Sequence, residues 1–172
     1  MNYRRAHILP GSNSIGEAAS FLISSLLISH GARVDSIAAV EIEGFWIIAY
    51  GDRIRHLRPD QDSAEGWVRA VLYKGRHRQL GASVLDRPPR TGNSVYCIKD
   101  EPGAKGLNWF KDTFPTSGLH DLLTFIYLGG RETTFPFQCE ENIAIEINIP
   151  RHLKPALINI ILDRIEAGLT PV

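Results

Sequence analysis

Arginine and histidine concentrate in three stretches of the chain, which are its clearest candidates for binding chemistry. The three clusters are Arg53, Arg55, His56 and Arg58; Arg76, His77 and Arg78; and Arg87 and Arg90. Clustered arginines neutralise phosphate groups and stack on nucleic-acid bases, so these stretches could contact RNA. The alternative for each cluster alone is a solvated, partly paired surface. The balance of 19 basic and 19 acidic side chains favours that alternative, because it argues against binding by bulk charge.

Four other polar residues have both a functional and a structural interpretation. Asp60 and Ser63 stand at the start of a predicted helix, where they could orient a substrate or cap the helix N-terminus. His30 and Arg33 follow the first predicted helix. They could reach a phosphate or a partner subunit, or they could complement the dipole at the helix C-terminus.

The sequence lacks the common signatures of metal and nucleotide sites. The six histidines are dispersed, and no His-Glu-x-x-His or Cys/His spacing occurs. No Walker loop, Gly-x-Ser-x-Gly elbow or Gly-x-Gly-x-x-Gly fingerprint occurs either. We therefore expect no metal cofactor. Trp46, Trp67 and Trp109 could stack on bases, although the helical spacing of Trp67 with Val71 favours core packing there.

Length and composition predict one globular domain spanning residues 1–172. Apolar residues make up 44% of the chain and charged residues 22%, which is typical of a folded domain. No run of about 18 apolar residues occurs, so we expect a cytoplasmic protein without membrane contact. Cys97 and Cys139 are too few for a disulfide framework and form no Cys-x-x-Cys pair, which favours buried thiols.

The hydrophobic pattern predicts strands that alternate with helices. The predicted strands are residues 3–9, 36–42, 44–50, 94–98, 123–128 and 143–149, with 54–57 as a further candidate. The predicted helices are residues 14–29, 63–72 and 153–167. This alternation predicts an α/β fold around a mostly parallel sheet.

Two stretches of the chain resemble one family. They are LLISHGARVD, residues 26–35, and IRHLRPDQDSAEGWVRAVL, residues 54–72. In this order and separation they are similar to the archaeal-type tRNA pseudouridine N1-methyltransferases of the knotted SPOUT class. That family carries a Leu-Ser-His-Gly-x-Arg run after its first helix and a Leu-Arg-x-Leu-x-Pro-Asp-Glu segment before a later one. Weaker similarity continues through VYCIKDEPG, FIYLGG and IAIEIN, which begin at residues 95, 125 and 143.

The resemblance implies a fold, a cofactor and partners. The fold would be a mostly parallel sheet with helices on both faces and a C-terminal trefoil knot, shortened here. The protein would bind S-adenosylmethionine, act on structured RNA such as tRNA, and form a homodimer. The residues implied to contact the cofactor are Leu128, Gly129, Gly130, Phe135, Pro136 and Cys139. Those implied to contact RNA are Arg33, Arg55, Arg58, Asp60 and Ser63.

The chain departs from the family pattern at several functional positions. Gly16, Ser20 and Ile23 stand where the first helix of the family usually carries Asp, Arg and Asn. Gly129-Gly130-Arg131 replaces a Gly-Asp-His run, and a Gly-Gly pair is also a generic turn after a strand. Two functions therefore remain open. One is an S-adenosylmethionine-dependent RNA methyltransferase with no assigned catalytic residue, and the other is a catalytically lapsed relative that binds RNA or protein.

Overall fold

A seven-stranded, mostly parallel β-sheet forms the centre of the protein. The computed structural model describes residues 3–92, 94–99, 122–129, 137–144 and 149–169. The strands are β1 (Arg5–Leu9), β2 (Leu27–Ile28), β3 (Gly31–Ala32), β4 (Ser36–Ile42), β5 (Phe45–Tyr50), β6 (Ala82–Leu85), β7 (Ser94–Lys99), β8 (Leu123–Tyr127) and β9 (Glu141–Ala144). The helices are α1 (Ile15–Leu26), α2 (Gln61–Tyr73) and α3 (Lys154–Glu166), the last preceded by a 3-10 turn at Arg151–Leu153.

The strand order of the main sheet is β6-β5-β4-β1-β8-β7-β9, and β2 pairs with β3 in a separate hairpin. The strands β4, β1, β8, β7 and β9 run parallel to one another. Strand β5 is antiparallel to both of its neighbours, β4 and β6. Gly129 follows the end of β8 and therefore lies at the edge where the parallel strands end, called here the carboxyl edge. Tyr50 ends the antiparallel β5 opposite Ile37, so it lies at the other edge, the amino edge.

Hydrophobic cores cover both faces of the sheet. The larger core includes residues of all three described helices, namely Phe21, Leu22, Trp67, Val71, Ile158 and Leu162. The smaller core lies on the other face and contains Ile8, Trp46 and Ile126, with Phe137 packed against it. The prediction of an α/β fold with a mostly parallel sheet is confirmed. Among the described residues, however, helices cover one face only, and the predicted knot falls partly on residues outside the described ranges.

Most predicted elements are confirmed with small shifts at their ends. The first helix ends at Leu26 rather than near residue 29, because the next residues pair with Gly31–Ala32 as a hairpin. The candidate strand at 54–57 is wrong. His56 there has a φ of 62°, a left-handed conformation that strands do not contain. Strand β6 was not predicted, and residues 145–148 of the last predicted strand lie outside the described ranges.

The two cysteines form a disulfide, so the expectation of two buried thiols is wrong. Their Cα atoms lie 5.7 Å apart, within the usual range for a disulfide. The parallel pairing of β7 with β9 explains the contact, because it places Cys97 opposite Asn142, just after Cys139. The bond therefore joins β7 to the segment just before β9, 42 residues further along the chain, beside the smaller core.

Candidate anion-binding site

A pocket with a volume of about 540 Å³ opens at the amino edge of the sheet. It brings together two of the three basic clusters of the sequence, one from the segment after β5 and one from the segment before β6. The lining residues are Tyr50, Asp52, Arg53, Ile54, Arg55, Arg78, Gln79, Gly81, Ala82 and Ser83. We call this cavity the arginine pocket, after Arg53, Arg55 and Arg78.

Backbone hydrogen bonds build the arginine pocket and fix the position of Arg55. The turn after β5 closes where the N–H groups of Arg53 and Ile54 donate to the Tyr50 carbonyl, at 3.0 and 2.8 Å. The Arg55 N–H donates to the Leu80 carbonyl at 3.1 Å. The Arg55 carbonyl accepts from Trp67 Nε1 at 2.9 Å. Both backbone polar groups of Arg55 are thus satisfied, so its side chain projects from a fixed point.

Two glycines allow the close backbone contacts around the arginine pocket. A Cβ atom on Gly51 would lie 1.8 Å from the Arg33 carbonyl oxygen. A Cβ atom on Gly81 would lie 2.1 Å from the Arg53 carbonyl oxygen, and Gly81 has a φ of 77°. Next to Arg55, His56 holds a left-handed conformation without being glycine. Such backbone strain is found at functional sites more often than elsewhere, because surrounding structure must enforce it.

The charge of the arginine pocket is positive. Three arginines and one carboxylate, Asp52, line it, which gives a net lining charge of +2. Asp52 accepts a hydrogen bond of 2.5 Å from the Tyr3 hydroxyl and lies 3.6 Å from Arg53 Nε. Burial, together with that hydrogen bond, raises the pKa of Tyr3 to about 12. Arg53 also makes a cation–π contact, with its guanidinium carbon 5.2 Å from the Tyr50 ring centre.

Arg55 and Arg78 are the available cations of the arginine pocket. Both are exposed, and no acidic side chain of the described residues lies within ion-pair distance of either. An unpaired guanidinium group presents a planar set of N–H donors that matches a phosphate or carboxylate. The pocket can therefore bind an anion without first breaking an ion pair at these two residues.

The other residues expected to contact RNA lie elsewhere. Arg58 is exposed but does not line the pocket. Asp60 is the N-cap of α2, where its carboxylate accepts from the Ser63 N–H at 2.9 Å. Hydrogen bonds from Ser63 lower the pKa of Asp60. Arg33 forms an ion pair with Asp163 of α3, at 2.7 Å. Of the five residues, Arg55 alone lines the arginine pocket, and the contacts of Asp60, Ser63 and Arg33 are structural.

Of the residues expected to contact the cofactor, two lie at the opposite edge of the sheet, one forms the disulfide and three lie outside the described ranges. Leu128 and Gly129 are half-buried at the carboxyl edge, about 20 Å along the strand direction from the amino edge. Cys139 is bonded to Cys97. Gly130, Phe135 and Pro136 lie outside the described residues. Within one chain, therefore, the arginine pocket and the expected cofactor position are not adjacent.

Arg151, whose role no sequence pattern indicates, holds the carboxyl edge together. Arg151 donates through Nη1 to the Pro10 carbonyl at 3.0 Å and through Nη2 to the Gly11 carbonyl at 2.6 Å. Its Nε donates to Glu17 Oε1 at 3.0 Å. Burial alone would raise the pKa of Glu17, but the Arg151 hydrogen bond and that of the Asn13 N–H lower it. The β1–α1 loop is thus tied to the segment before α3.

The face of α1 that carries Gly16 and Ser20 contacts α2 of the same chain. Gln61 Nε2 donates to the Gly16 carbonyl at 3.0 Å, and the Ser20 hydroxyl donates to Gln61 Oε1 at 2.8 Å. A Cβ atom on Gly16 would lie 3.1 Å from Glu65 Oε1. Ile23 packs against the larger core. These three positions therefore serve packing between helices, with side chains that have no acid–base chemistry.

A buried polar network links β1, β8 and α3 beneath the helices. Asn159 Nδ2 donates to the Ser25 carbonyl at 3.1 Å, so Asn159 Oδ1 is the atom that faces His7 Nε2, at 3.0 Å. His7 Nε2 must then carry the proton, and Nδ1 accepts from the Tyr127 hydroxyl at 2.7 Å. Burial lowers the pKa of His7 to about 3, so the ring is neutral. Since every polar atom of the ring is bonded, His7 is structural.

Comparisons with known proteins do not identify the chain. No protein-family model matches it, and no curated protein matches it. The described residues contain no group of three or more His, Cys, Asp or Glu side chains placed to hold a metal ion. They also contain no helix long and apolar enough to cross a membrane. The assignment of function therefore rests on the geometry of the arginine pocket and on the sequence resemblance.

Proposed function

We propose that this protein binds structured RNA, with phosphate groups held in the arginine pocket. The observation that carries the proposal is the convergence of Arg53, Arg55 and Arg78 on one cavity. Taken alone, each of the two sequence clusters is best interpreted as a solvated surface. The pairing of β5 with β6 brings them together in a single site. Since the chain has no net charge, this local concentration supplies the electrostatic attraction that the whole molecule lacks.

The chemistry of the lining supports RNA as the ligand class. Arg55 and Arg78 can each donate paired N–H groups to phosphate oxygens, and Tyr50 adds an aromatic ring beside Arg53. The segment that carries Arg55 is also one of the two stretches that resemble the pseudouridine methyltransferases. Both lines of support are independent of any cofactor. We therefore favour RNA binding without catalysis, the lapsed-relative alternative of the sequence analysis.

The second candidate is an S-adenosylmethionine-dependent methyltransferase of the pseudouridine N1 type. Its support is the position of Leu128 and Gly129, because ligands of open parallel sheets bind beyond the carboxyl ends of the strands. The cofactor would supply a methyl group to a ring nitrogen. The strand register places Pro10 and Gly11 near these residues, but their backbone groups are already bonded to Arg151 and Glu41. The described residues therefore fit the cofactor poorly, and this candidate ranks second.

The binding of a tRNA transcript tests the first candidate. We expect the Kd, measured by fluorescence anisotropy, to rise about tenfold in each of Arg55→Ala and Arg78→Ala, because each loses a charged phosphate contact. Arg69→Ala is the matched control. Arg69 is exposed on α2 outside the pocket and pairs only with Glu65 among the described residues. Equal affinities of all three variants and the native protein would overturn the assignment of the pocket.

Calorimetric titration with S-adenosylmethionine tests the second candidate. A ligand that binds the folded state also raises the melting temperature once its concentration exceeds Kd, so a thermal shift gives an independent readout. On the first candidate we expect no heat, no shift and no transfer of labelled methyl to RNA. Saturable cofactor binding that is lost in Gly129→Arg, with methyl transfer to RNA, would establish the methyltransferase instead.

A further inference from the structure

We infer that the arginine pocket accepts a single unpaired nucleotide, with its phosphate on Arg55 and Arg78 and its base stacked on Arg53. The inference uses the same cavity as the proposed function and defines the unit that it recognises. The amino edge is concave, unlike the flat basic surface that would suit the backbone of a double helix. Arg55 and Arg78 provide positive charge there, and Arg53 provides a planar group.

The size of the cavity favours one nucleotide over a duplex. Its volume of about 540 Å³ falls within the range of small-molecule sites, roughly 300–1,000 Å³. A double helix could touch the rim of such a cavity but could not enter it. A nucleotide that is bulged, looped or terminal can leave its stack and enter, which is how most sequence-specific contacts to RNA are made.

The phosphate position follows from Arg55 and Arg78, which have no acidic partner among the described residues. Arg55 has a backbone fixed by Leu80 and Trp67, so its side chain extends from a fixed point at one wall. Arg78 comes from the opposing segment, whose Gly81 contacts the Arg53 backbone. Two guanidinium groups approaching from separate segments can hold one phosphate between them.

The base position follows from the cation–π contact between Arg53 and Tyr50. The guanidinium group lies over the Tyr50 ring at 5.2 Å, and the Arg53 side chain is 65% exposed. Its outer face is therefore open to solvent, and a guanidinium plane is a recognised stacking surface for an unpaired base. The aromatic ring beneath holds the plane in place and limits the side-chain entropy lost on binding.

Free mononucleotides and unpaired nucleotides in RNA carry the same chemistry, and titrations with small probes examine it directly. The probes are uridine 5′-monophosphate, inorganic phosphate and uridine, each titrated by calorimetry into the full chain. We expect the monophosphate to bind most tightly, phosphate more weakly and uridine weakest. Arg55→Ala should weaken the monophosphate about tenfold. Arg53→Ala should weaken the monophosphate while leaving phosphate within about twofold, because stacking is lost but the anion contacts remain.

RNA probes distinguish a free mononucleotide from an unpaired nucleotide in RNA as the ligand. They also separate this inference from the proposed function. A blunt-ended RNA duplex with a one-nucleotide bulge should bind more tightly than the same duplex without the bulge, and the monophosphate should displace it. If the monophosphate binds but neither RNA does, the nucleotide site is supported and the proposed function fails. If both duplexes bind equally and the monophosphate does not bind at millimolar concentration, the inference is overturned while RNA binding stands. Arg69→Ala should behave as the native protein in every titration.

Discussion

Arg33 donates two hydrogen bonds to the Asp163 carboxylate, at 3.1 Å from Nη1 and 2.7 Å from Nη2. Asp163 also pairs with the buried Arg5, at 2.7 Å. Burial alone would raise the pKa of Asp163, but the hydrogen bonds from the two arginines lower it. The carboxylate therefore joins β1 and the β3–β4 connection to α3. Arg33, which the family resemblance assigned to RNA, has a structural role in this chain.

We predict that Arg33→Ala lowers stability without weakening RNA binding. Loss of the two-point ion pair should reduce the free energy of unfolding by about 2 kcal/mol, because the pair is only partly exposed and Asp163 keeps one partner. The Kd for tRNA should stay within about twofold of the native value. Urea denaturation and anisotropy measure the two effects. If the variant has native stability but binds RNA much more weakly, Arg33 contacts RNA.

We predict that stability falls as the pH drops below the ordinary pKa of histidine, because His7 is buried in neutral form. The pKa of His7 is about 3 in the folded protein and 6.5 as the reference value. Between these values the unfolded chain binds a proton that the folded chain excludes. The free energy of unfolding should therefore be fully retained above pH 6.5 and decrease by about 1.4 kcal/mol per pH unit below it.

Two variants separate His7 from other groups in this pH range. His7→Phe should be less stable at neutral pH, since Tyr127 and Asn159 each lose a partner, but it should lack most of the slope. Burial also lowers the pKa of His152, so His152→Asn is the control and should keep most of the slope. Urea titrations between pH 4.5 and 7 provide the measurement. A slope that persists in His7→Phe and disappears in His152→Asn would contradict the assignment.

We predict opposite effects for alanine at two glycines. Gly81→Ala should cost at least about 2 kcal/mol, because the left-handed backbone and the nearby Arg53 carbonyl both oppose a Cβ atom. Gly66→Ala, in the interior of α2 with open space around it, should stabilise by about 0.5–1 kcal/mol. Thermal denaturation of both variants gives the comparison. Equal stabilities of the two variants would show that the segments around Arg53 and Gly81 are not in tight contact.

We predict that Asp52→Asn strengthens anion binding in the arginine pocket. The substitution removes the one carboxylate of the lining, and the amide oxygen can still accept from Tyr3. The affinity for uridine 5′-monophosphate should rise about fivefold at low salt, because a repulsive charge near the phosphate is lost. Calorimetry at low and high salt tests this. Unchanged or weaker affinity at low salt would argue against a phosphate inside the cavity.

The strands and helices could be predicted from sequence more fully than the site. β4 was predicted with its observed ends because its apolar run is bounded by polar turns. The pocket was not predicted, since it depends on the pairing of β5 with the short β6, whose four residues carry a weak pattern. Proximity between Arg55 and Arg78 is a property of that pairing. This proximity cannot be predicted from residue type or from spacing along the chain.

The partners of polar residues inside apolar elements could not be predicted from the sequence either. His7 and Asn159 are buried in a strand and a helix, and their hydrogen bonds to each other, to Tyr127 and to Ser25 explain their burial. The disulfide has the same origin, because Cys97 and Cys139 meet through the pairing of β7 with β9. In both cases the partner is set by tertiary structure, and the local pattern carries no sign of it.

The salt dependence of RNA binding tests the central claim most directly. The logarithm of the association constant falls linearly with the logarithm of salt concentration, with a slope set by the number of phosphates neutralised. For the variant Arg53→Gln/Arg55→Gln/Arg78→Gln, we expect the slope for a tRNA transcript to be smaller by about 1 to 2, because Arg55 and Arg78 contact phosphate, against a change below about 0.5 for Arg69→Gln. Native slopes and affinities in the pocket variant would contradict the assignment of RNA binding to the arginine pocket.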